Sequence, residues 1–253
     1  MHQIFDTHAH YDDEAYNLDR DEILKSLADN NIGTVLNCSS DMESSHKSVE
    51  LCDKYSFIYG AVGIHPHSAK DYTKNDSDIL KTLVSHPKIK AIGEIGLDYH
   101  YDFSPREQQI ICLEAQLKIA AEVNLPIIFH DREAHADTLE ILKKYKPRGV
   151  VHCFSGSVEM AGEIIRLGMY IGLGGAVTFK NARTPKEVAA FLPLDKLLLE
   201  TDCPYMTPAP HRGKRNDSTF LPLVVAQIAE IKQISEQEII DQTTQNANYL
   251  FNI

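Results

Sequence analysis

The chain has 253 residues, 43% of them hydrophobic and 24% charged, an ordinary globular mixture with enough apolar material for a large core, which excludes extensive disorder. A formal charge of −11 argues against binding along a duplex through a broad basic face, since the whole-molecule field repels a polyanion; catalysis on a strand end then needs a local positive site. The cysteines (Cys38, Cys52, Cys112, Cys153, Cys203) are odd in number, scattered and without a Cys-x-x-Cys pair, which speaks against a disulfide framework or a thiolate zinc site and fits reduced thiols in a cytoplasm. The N-terminus carries neither a basic stretch nor a long apolar segment, and no later run is long enough to span a bilayer, so a soluble cytoplasmic protein is expected.

In chain order, short runs rich in Val, Ile, Leu, Gly or Phe predict strands near 3–8, 33–38, 58–64, 90–95, 126–130, 149–153, 170–174 and 197–201. The stretches between them read mostly as helices. In 105–123, Ile110, Leu113, Leu117 and Ala120 recur three and four residues apart and share a face. Ser104-Pro105-Arg106-Glu107 and Thr184-Pro185-Lys186-Glu187 combine a capping-box pattern with proline at the first helical position, and Ser235-x-x-Glu238 opens a last helix in the same way. Eight strands separated by helices imply a parallel sheet, and a closed eight-stranded barrel takes about 250 residues. The expectation is therefore one domain over residues 1–253, a TIM-like (β/α)8 barrel, regular or distorted, with its site at the carboxyl ends of the strands. An open dinucleotide fold would want Gly-x-Gly-x-x-Gly after the first strand, where this chain has Asp6-Thr7-His8-Ala9-His10.

His8 and His10 are two apart in an extended run, so both imidazoles point to one side. His130, His152, Glu94 and Asp202 each end or follow another predicted strand, and in a barrel that edge converges on one mouth. Each alone reads more readily as a hydrogen-bonded structural group; six together read as a ligand set. Four imidazoles and two carboxylates can hold two divalent ions about 3.5–4 Å apart with one carboxylate bridging, an arrangement that clamps the attacking and leaving oxygens of a displacement. Mixed nitrogen and oxygen ligands suit Zn, Mn, Fe or Ni better than Ca, with Mg still open.

Phe5-Asp6-Thr7-His8-Ala9-His10, Gly63-Ile64-His65-Pro66-His67, Gly93-Glu94-Ile95-Gly96-Leu97-Asp98-Tyr99, His152-Cys153-Phe154-Ser155-Gly156 and Glu200-Thr201-Asp202-Cys203-Pro204 resemble the signature blocks of the TatD family of metal-dependent deoxyribonucleases, within the amidohydrolase-like barrels. The resemblance runs in order from residue 4 to Arg215-Asn216 and continues weakly through Asn246-Ala247. It implies a 3′-to-5′ exonuclease acting on DNA, single strands or 3′ ends. It also implies that His8, His10 and Asp202 hold one ion, His130 and His152 the other, and that Glu94 bridges them. Asp202 would then act both as a ligand and as the base for a metal-activated water. No ligand position departs from the family pattern; Cys203 and His135 vary outside the ligand set.

His211-Arg212-Gly213-Lys214-Arg215 is the densest positive patch of the chain, in a loop that barrel geometry places over the mouth. Arg212, Lys214 and Arg215 are therefore expected to bind phosphates, against the plainer reading of a solvated loop held by surface ion pairs. His65, His67 and Arg132 either touch substrate or are merely bonded in the mouth. Cys153 and Cys203 each follow a ligand position and are expected to pack into the barrel wall rather than act as nucleophiles. No Gly-x-Ser-x-Gly elbow is present. Hydrolysis of a small amide, lactone or ester on the same barrel is the alternative activity; Glu94 where such enzymes commonly carry a modified lysine, together with the basic loop, favours phosphate. A non-catalytic metal-binding protein is a third reading, disfavoured because six ligands over two ions leave room for water and substrate.

Overall fold

A computed structural model describes residues 2–253. Eight strands, β1 (Ile4–Ala9), β2 (Ile32–Cys38), β3 (Ile58–Val62), β4 (Ile89–Asp98), β5 (Ile127–Arg132), β6 (Gly149–Val151), β7 (Tyr170–Leu173) and β8 (Leu197–Leu199), lie side by side in sequence order, each ladder parallel. Helices α1 (Arg20–Ser26), α2 (Met42–Lys54), α3 (Lys74–Leu83), α4 (Arg106–Val123), α5 (His135–Tyr145), α6 (Val158–Arg166) and α7 (Arg183–Phe191) connect them, and α8 (Leu221–Lys232) and α9 (Glu236–Phe251) follow β8. The barrel closes between β8 and β1 by an Ala9–Cys203 bridge and by backbone bonds from Asp202 N–H to the His8 carbonyl (2.9 Å) and from His10 N–H to the Cys203 carbonyl (2.8 Å).

All eight expected strands are present, with β4 extended to Asp98 because its end pairs with β5 through Asp98 and Arg132. Ser235 caps α9 as expected, accepting from Glu238 N–H. The other two capping boxes are not made. Ser104 instead donates to the His67 carbonyl and accepts from Lys70 N–H, while Thr184 lies inside α7 with Ala182 at its cap. A tertiary contact and an earlier helix start replace the local caps there.

Strand alternation divides the apolar residues between two packings. Leu36, Ala61, Ala91, Ile128, Val150 and Leu198 fill the barrel interior, closed below by Leu250 and Phe251 of α9, whose ring lies 6.1 Å from that of Phe5. Ile127, Phe129, Val151, Leu197 and Leu199 face the helices. In β5, β6 and β8 the same parity that sends Ile128, Val150 and Leu198 inward sends His130, His152 and Glu200 inward one step higher. β1 and β4 differ: register shifts between Asp6 and Ala9 and between Ile92 and Ile95 change the parity within each strand. Phe5 and His8 can thereby both point inward, as can Ala91 and Glu94.

The seam is fastened by a buried carboxylate. Asp6 accepts from Thr201 N–H (3.0 Å), the Thr201 hydroxyl (2.7 Å), the Ser218 hydroxyl (2.6 Å) and His8 N–H (3.3 Å). Burial pushes its carboxyl up to about 6 against those donors. Asp6→Asn retains the shape but sets an amide N–H₂ against hydroxyls that need an acceptor. Thermal melts at pH 8 should show a loss of about 2–3 kcal/mol, the scale for hydrogen bonds to a charged group; an unchanged melting temperature would remove Asp6 from the closure.

Candidate metal centre

The inward residues above the apolar plug are titratable. Glu94 stands at the middle, 3% exposed, with its two oxygens facing different partners. Oε2 lies 3.2 Å from His8 Nε2 and 3.6 Å from His10 Nε2; Asp202 Oδ1 is 3.7 and 3.4 Å from the same two nitrogens. Oε1 lies 2.8 Å from His130 Nδ1, 2.7 Å from His152 Nε2 and 3.4 Å from His65 Nε2. His8 and His10 Nε2 are 3.1 Å apart, and His130 Nδ1 is 3.2 Å from His152 Nε2.

These spacings fit a cation. Metal–nitrogen and metal–oxygen bonds near 2.0–2.1 Å give a tetrahedral ligand–ligand edge of about 3.3 Å, and the donor atoms stand 2.7–3.7 Å from one another around each Glu94 oxygen. The imidazoles are aimed as ligands. His10 Nδ1 is bonded to the Cys38 carbonyl at 2.8 Å, which places its proton there and leaves the Nε2 lone pair facing inward. His65 differs. Its Nδ1 accepts from His67 N–H (3.1 Å), so the neutral ring carries its proton on Nε2 and presents a donor to the cluster.

Burial and charge set the protonation of the metal-free cluster. Burial, with the neighbouring His152, pushes His8 down to about 4, and burial pushes His65 down to about 4. Burial would lower His10 too, but Asp202 and Glu94 outweigh it and hold it up to about 10; Asp98 and Glu94 likewise hold His130 up to about 9. Burial opposes ionisation of Glu94, yet His152, His65 and His8 keep it well below the carboxylate range. The protons on His10 and His130 occupy positions that a cation would take.

Three buried acids escaped the sequence reading. Glu200, pushed up to about 8 by burial, accepts from Cys153 N–H and lies 3.9 Å from His152 Nδ1. It stands two before Asp202, the spacing that had singled out His8 and His10, and was legible on that ground. Asp98 accepts from His67 Nε2 (2.8 Å), lies 3.4 Å from His130 Nε2, and takes the N–H groups of His100 and Tyr101 on its other oxygen. Asp6 could not be read, because its partners lie 195 and 212 residues away. Two glycines make room around the cluster: a Cβ at Gly96, where φ is +156°, would fall 1.9 Å from the His130 carbonyl oxygen, and one at Gly172 would fall 2.2 Å from Glu200 Oε2.

Around this centre the remaining expected residues separate. Arg132 is exposed with its guanidinium 4.9 Å from the Tyr101 ring centre. Arg215 is exposed but already paired, forking onto Asp19 (3.0 and 2.5 Å) and the Ala15 carbonyl, 4.8 Å from the Tyr16 ring centre. Arg212 stacks 3.7 Å from the Phe179 ring centre, and neither it nor Lys214 makes an ion pair among the described residues. Cys203 is buried in the wall as expected, whereas Cys153 is half-buried with a left-handed backbone, since β6 ends at Val151 and alternation stops. Burial pushes both thiols up, Cys203 to about 12, so neither is a thiolate.

The family model described as TatD related DNase matches residues 5–252. An uncharacterised metal-dependent hydrolase of Bacillus subtilis, YabD, is 44% identical over 253 residues, covering 99% of each chain. A protein of Erwinia tasmaniensis named 3′-5′ ssDNA/RNA exonuclease TatD is 32% identical over 99% of this chain and 100% of its own. The crystal structure of YJJV, a TatD homologue of Escherichia coli K12, superposes with a TM-score of 0.94 at 32% identity, over 99% of this chain and 98% of that one.

Loading the centre must displace the protons on His10 and His130, and any on His152, which against its burial Glu94 also holds above the ordinary imidazole value, so metal affinity rises with pH through the range below about 9. Titration calorimetry with Zn²⁺ in buffers of different ionisation enthalpy should report release of at least two protons at pH 7. Buffer-independent heats would show that these imidazoles are already neutral.

Proposed function

The chain belongs to the TatD family of metal-dependent hydrolases, and we propose that within it this protein cleaves phosphodiester bonds of single-stranded DNA from the 3′ end with two divalent cations. The observation that carries this reading is the division of Glu94, one oxygen toward His8 and His10, which also face Asp202, and the other toward His130, His152 and His65. His8, His10 and Asp202 would hold one ion, His130 and His152 the other, and Glu94 would bridge them. When bound, such ions lower the pKa of a water and neutralise charge on a phosphoryl oxygen. Zn, Mn and Mg are the ions we would test.

The residues themselves supply the rest. Asp202, at the seam and with its side chain 17% exposed, faces the mouth and is placed to accept the proton of the attacking water. Neutral His65 can donate Nε2–H to a phosphate oxygen. Arg212 and Lys214, which make no ion pair among the described residues, would meet phosphates farther along the strand, Arg215 holds their loop to residues 15–19, and Arg132 would meet them beside Tyr101. The Erwinia relative's name supports a single-stranded nucleic-acid substrate. Free cysteines and the lack, among the described residues, of any helix long and apolar enough to cross a membrane support a cytoplasmic location.

The deciding experiment incubates metal-loaded protein with single-stranded and duplex DNA, 3′-blocked DNA, RNA, and a panel of amides and lactones. Shortening of single strands from an open 3′ end is expected; turnover of amides or lactones alone would transfer the centre to the alternative chemistry. Glu94→Ala should lose turnover and bind fewer ions. Asp202→Asn should lower the rate about 10²–10⁴-fold while reducing metal affinity far less; an unchanged rate with lost metal would leave Asp202 a ligand only. Replacing Arg212 and Lys214 together by Ala should raise KM for DNA several-fold and flatten its salt dependence by about 0.7 per lost contact on a log–log plot. Bis(4-nitrophenyl) phosphate, too small to reach the loop, should respond less. Equal salt slopes would return the loop to a solvated surface segment.

A further inference from the structure

The loop between β4 and α4 exposes two aromatic rings beside the metal centre. Tyr101 is 46% and Phe103 57% exposed, and their rings lie nearly parallel at 19° with centres 5.1 Å apart. The His67 ring meets both edge-on, at 4.8 Å from Phe103 and 5.4 Å from Tyr101. The Arg132 guanidinium sits 4.9 Å from the Tyr101 centre. Nothing in the proposed chemistry of the centre requires these rings.

The pair is fixed to the centre through Asp98. One carboxylate oxygen takes the N–H groups of His100 and Tyr101, each at 2.9 Å, and so sets the loop backbone. The other lies 2.8 Å from His67 Nε2 and 3.4 Å from His130 Nε2. The rings are therefore held in register with the group of imidazoles around Glu94 Oε1 rather than carried on a free loop. Two nearly parallel, stacked rings with a guanidinium over the Tyr101 ring suit a flat π-system with a phosphate attached: the base extends the stack, and arginine meets the phosphate oxygens. An aliphatic side chain would have no use for the parallel alignment. A base inside a duplex already has both faces covered, so the occupant has to be unstacked.

Resting on the nuclease reading above, we propose that Tyr101 and Phe103 form a stacking platform for a base in the last two nucleotides at the 3′ end of a single strand, with Arg132 on the adjoining phosphate. The platform accounts for a preference for single strands over duplexes, and being a π-face contact it is tolerant of sequence.

The test uses a single-stranded oligonucleotide with 3′-terminal phosphorothioate linkages, which resists cleavage, carrying 2-aminopurine either in the last two positions or ten nucleotides inward. Metal-loaded wild type should quench the terminal probe and leave the inner one bright. Phe103→Ala and Tyr101→Ala should each lose the quenching and weaken binding about tenfold, whereas Phe103→Tyr should retain both. Melting temperatures confirm that each variant is folded. Equal affinity and equal quenching in the alanine variants would overturn the platform, as would quenching of the inner probe alone. Terminal quenching without hydrolysis of an unmodified strand would sustain the platform and overturn the nuclease reading; hydrolysis without terminal quenching would do the reverse.

Discussion

One carboxylate, Glu94, has to satisfy five imidazoles from four different strands and their loops, and the upper half of the barrel is organised around that demand. A buried carboxylate in isolation would take up a proton, and buried imidazoles in isolation would shed theirs. Interleaved, they stabilise one another's charge: Glu94 stays ionised, while His10 and His130, which have second carboxylates in Asp202 and Asp98, keep protons that His8 and His65 give up. The donors are thus positioned before any cation arrives, so little reorganisation is required on loading.

Such a cluster needs a scaffold that departs from ideal strand alternation in two places. Where β1 and β4 shift register, the inward side changes, so that an apolar plug residue and a donor three residues later lie on the same side. Glycines at 96 and 172 remove side chains from positions where His130 and Glu200 come within contact of a neighbouring backbone. Asp6 then ties β1 to the segment after β8, fixing His8 and Asp202 against each other across the seam.

The acidity of the chain has a local counterpart. In the metal-free cluster the ionised Glu94, Asp98 and Asp202 are offset by the protons that His10 and His130 keep, so the mouth offers a phosphate little net positive charge. Replacing those protons with divalent cations would make the mouth more positive, while Arg212, Lys214 and Arg132 carry positive charge outside the ligand cluster.

By itself the sequence determined the eight strands, the parallel barrel and the six candidate ligands, because local hydrophobic runs mark strands and a polar residue at the end of each run marks the mouth. His8, His10, Glu94, His130, His152 and Asp202 meet in the structure around one carboxylate. Tertiary structure decided what depends on partners distant in the chain. It turned Ser104 from a helix cap into a loop clasp and gave Arg215 to Asp19. His65 became a donor through its bond from His67 N–H, and Asp6, Asp98 and Glu200 emerged as buried acids. It also set Tyr101 beside Phe103 and both beside His67. Periodicity reports which way a side chain points from its own strand, but a hydrogen-bond partner or a ring stack is fixed only when strands and loops far apart in the chain are brought together.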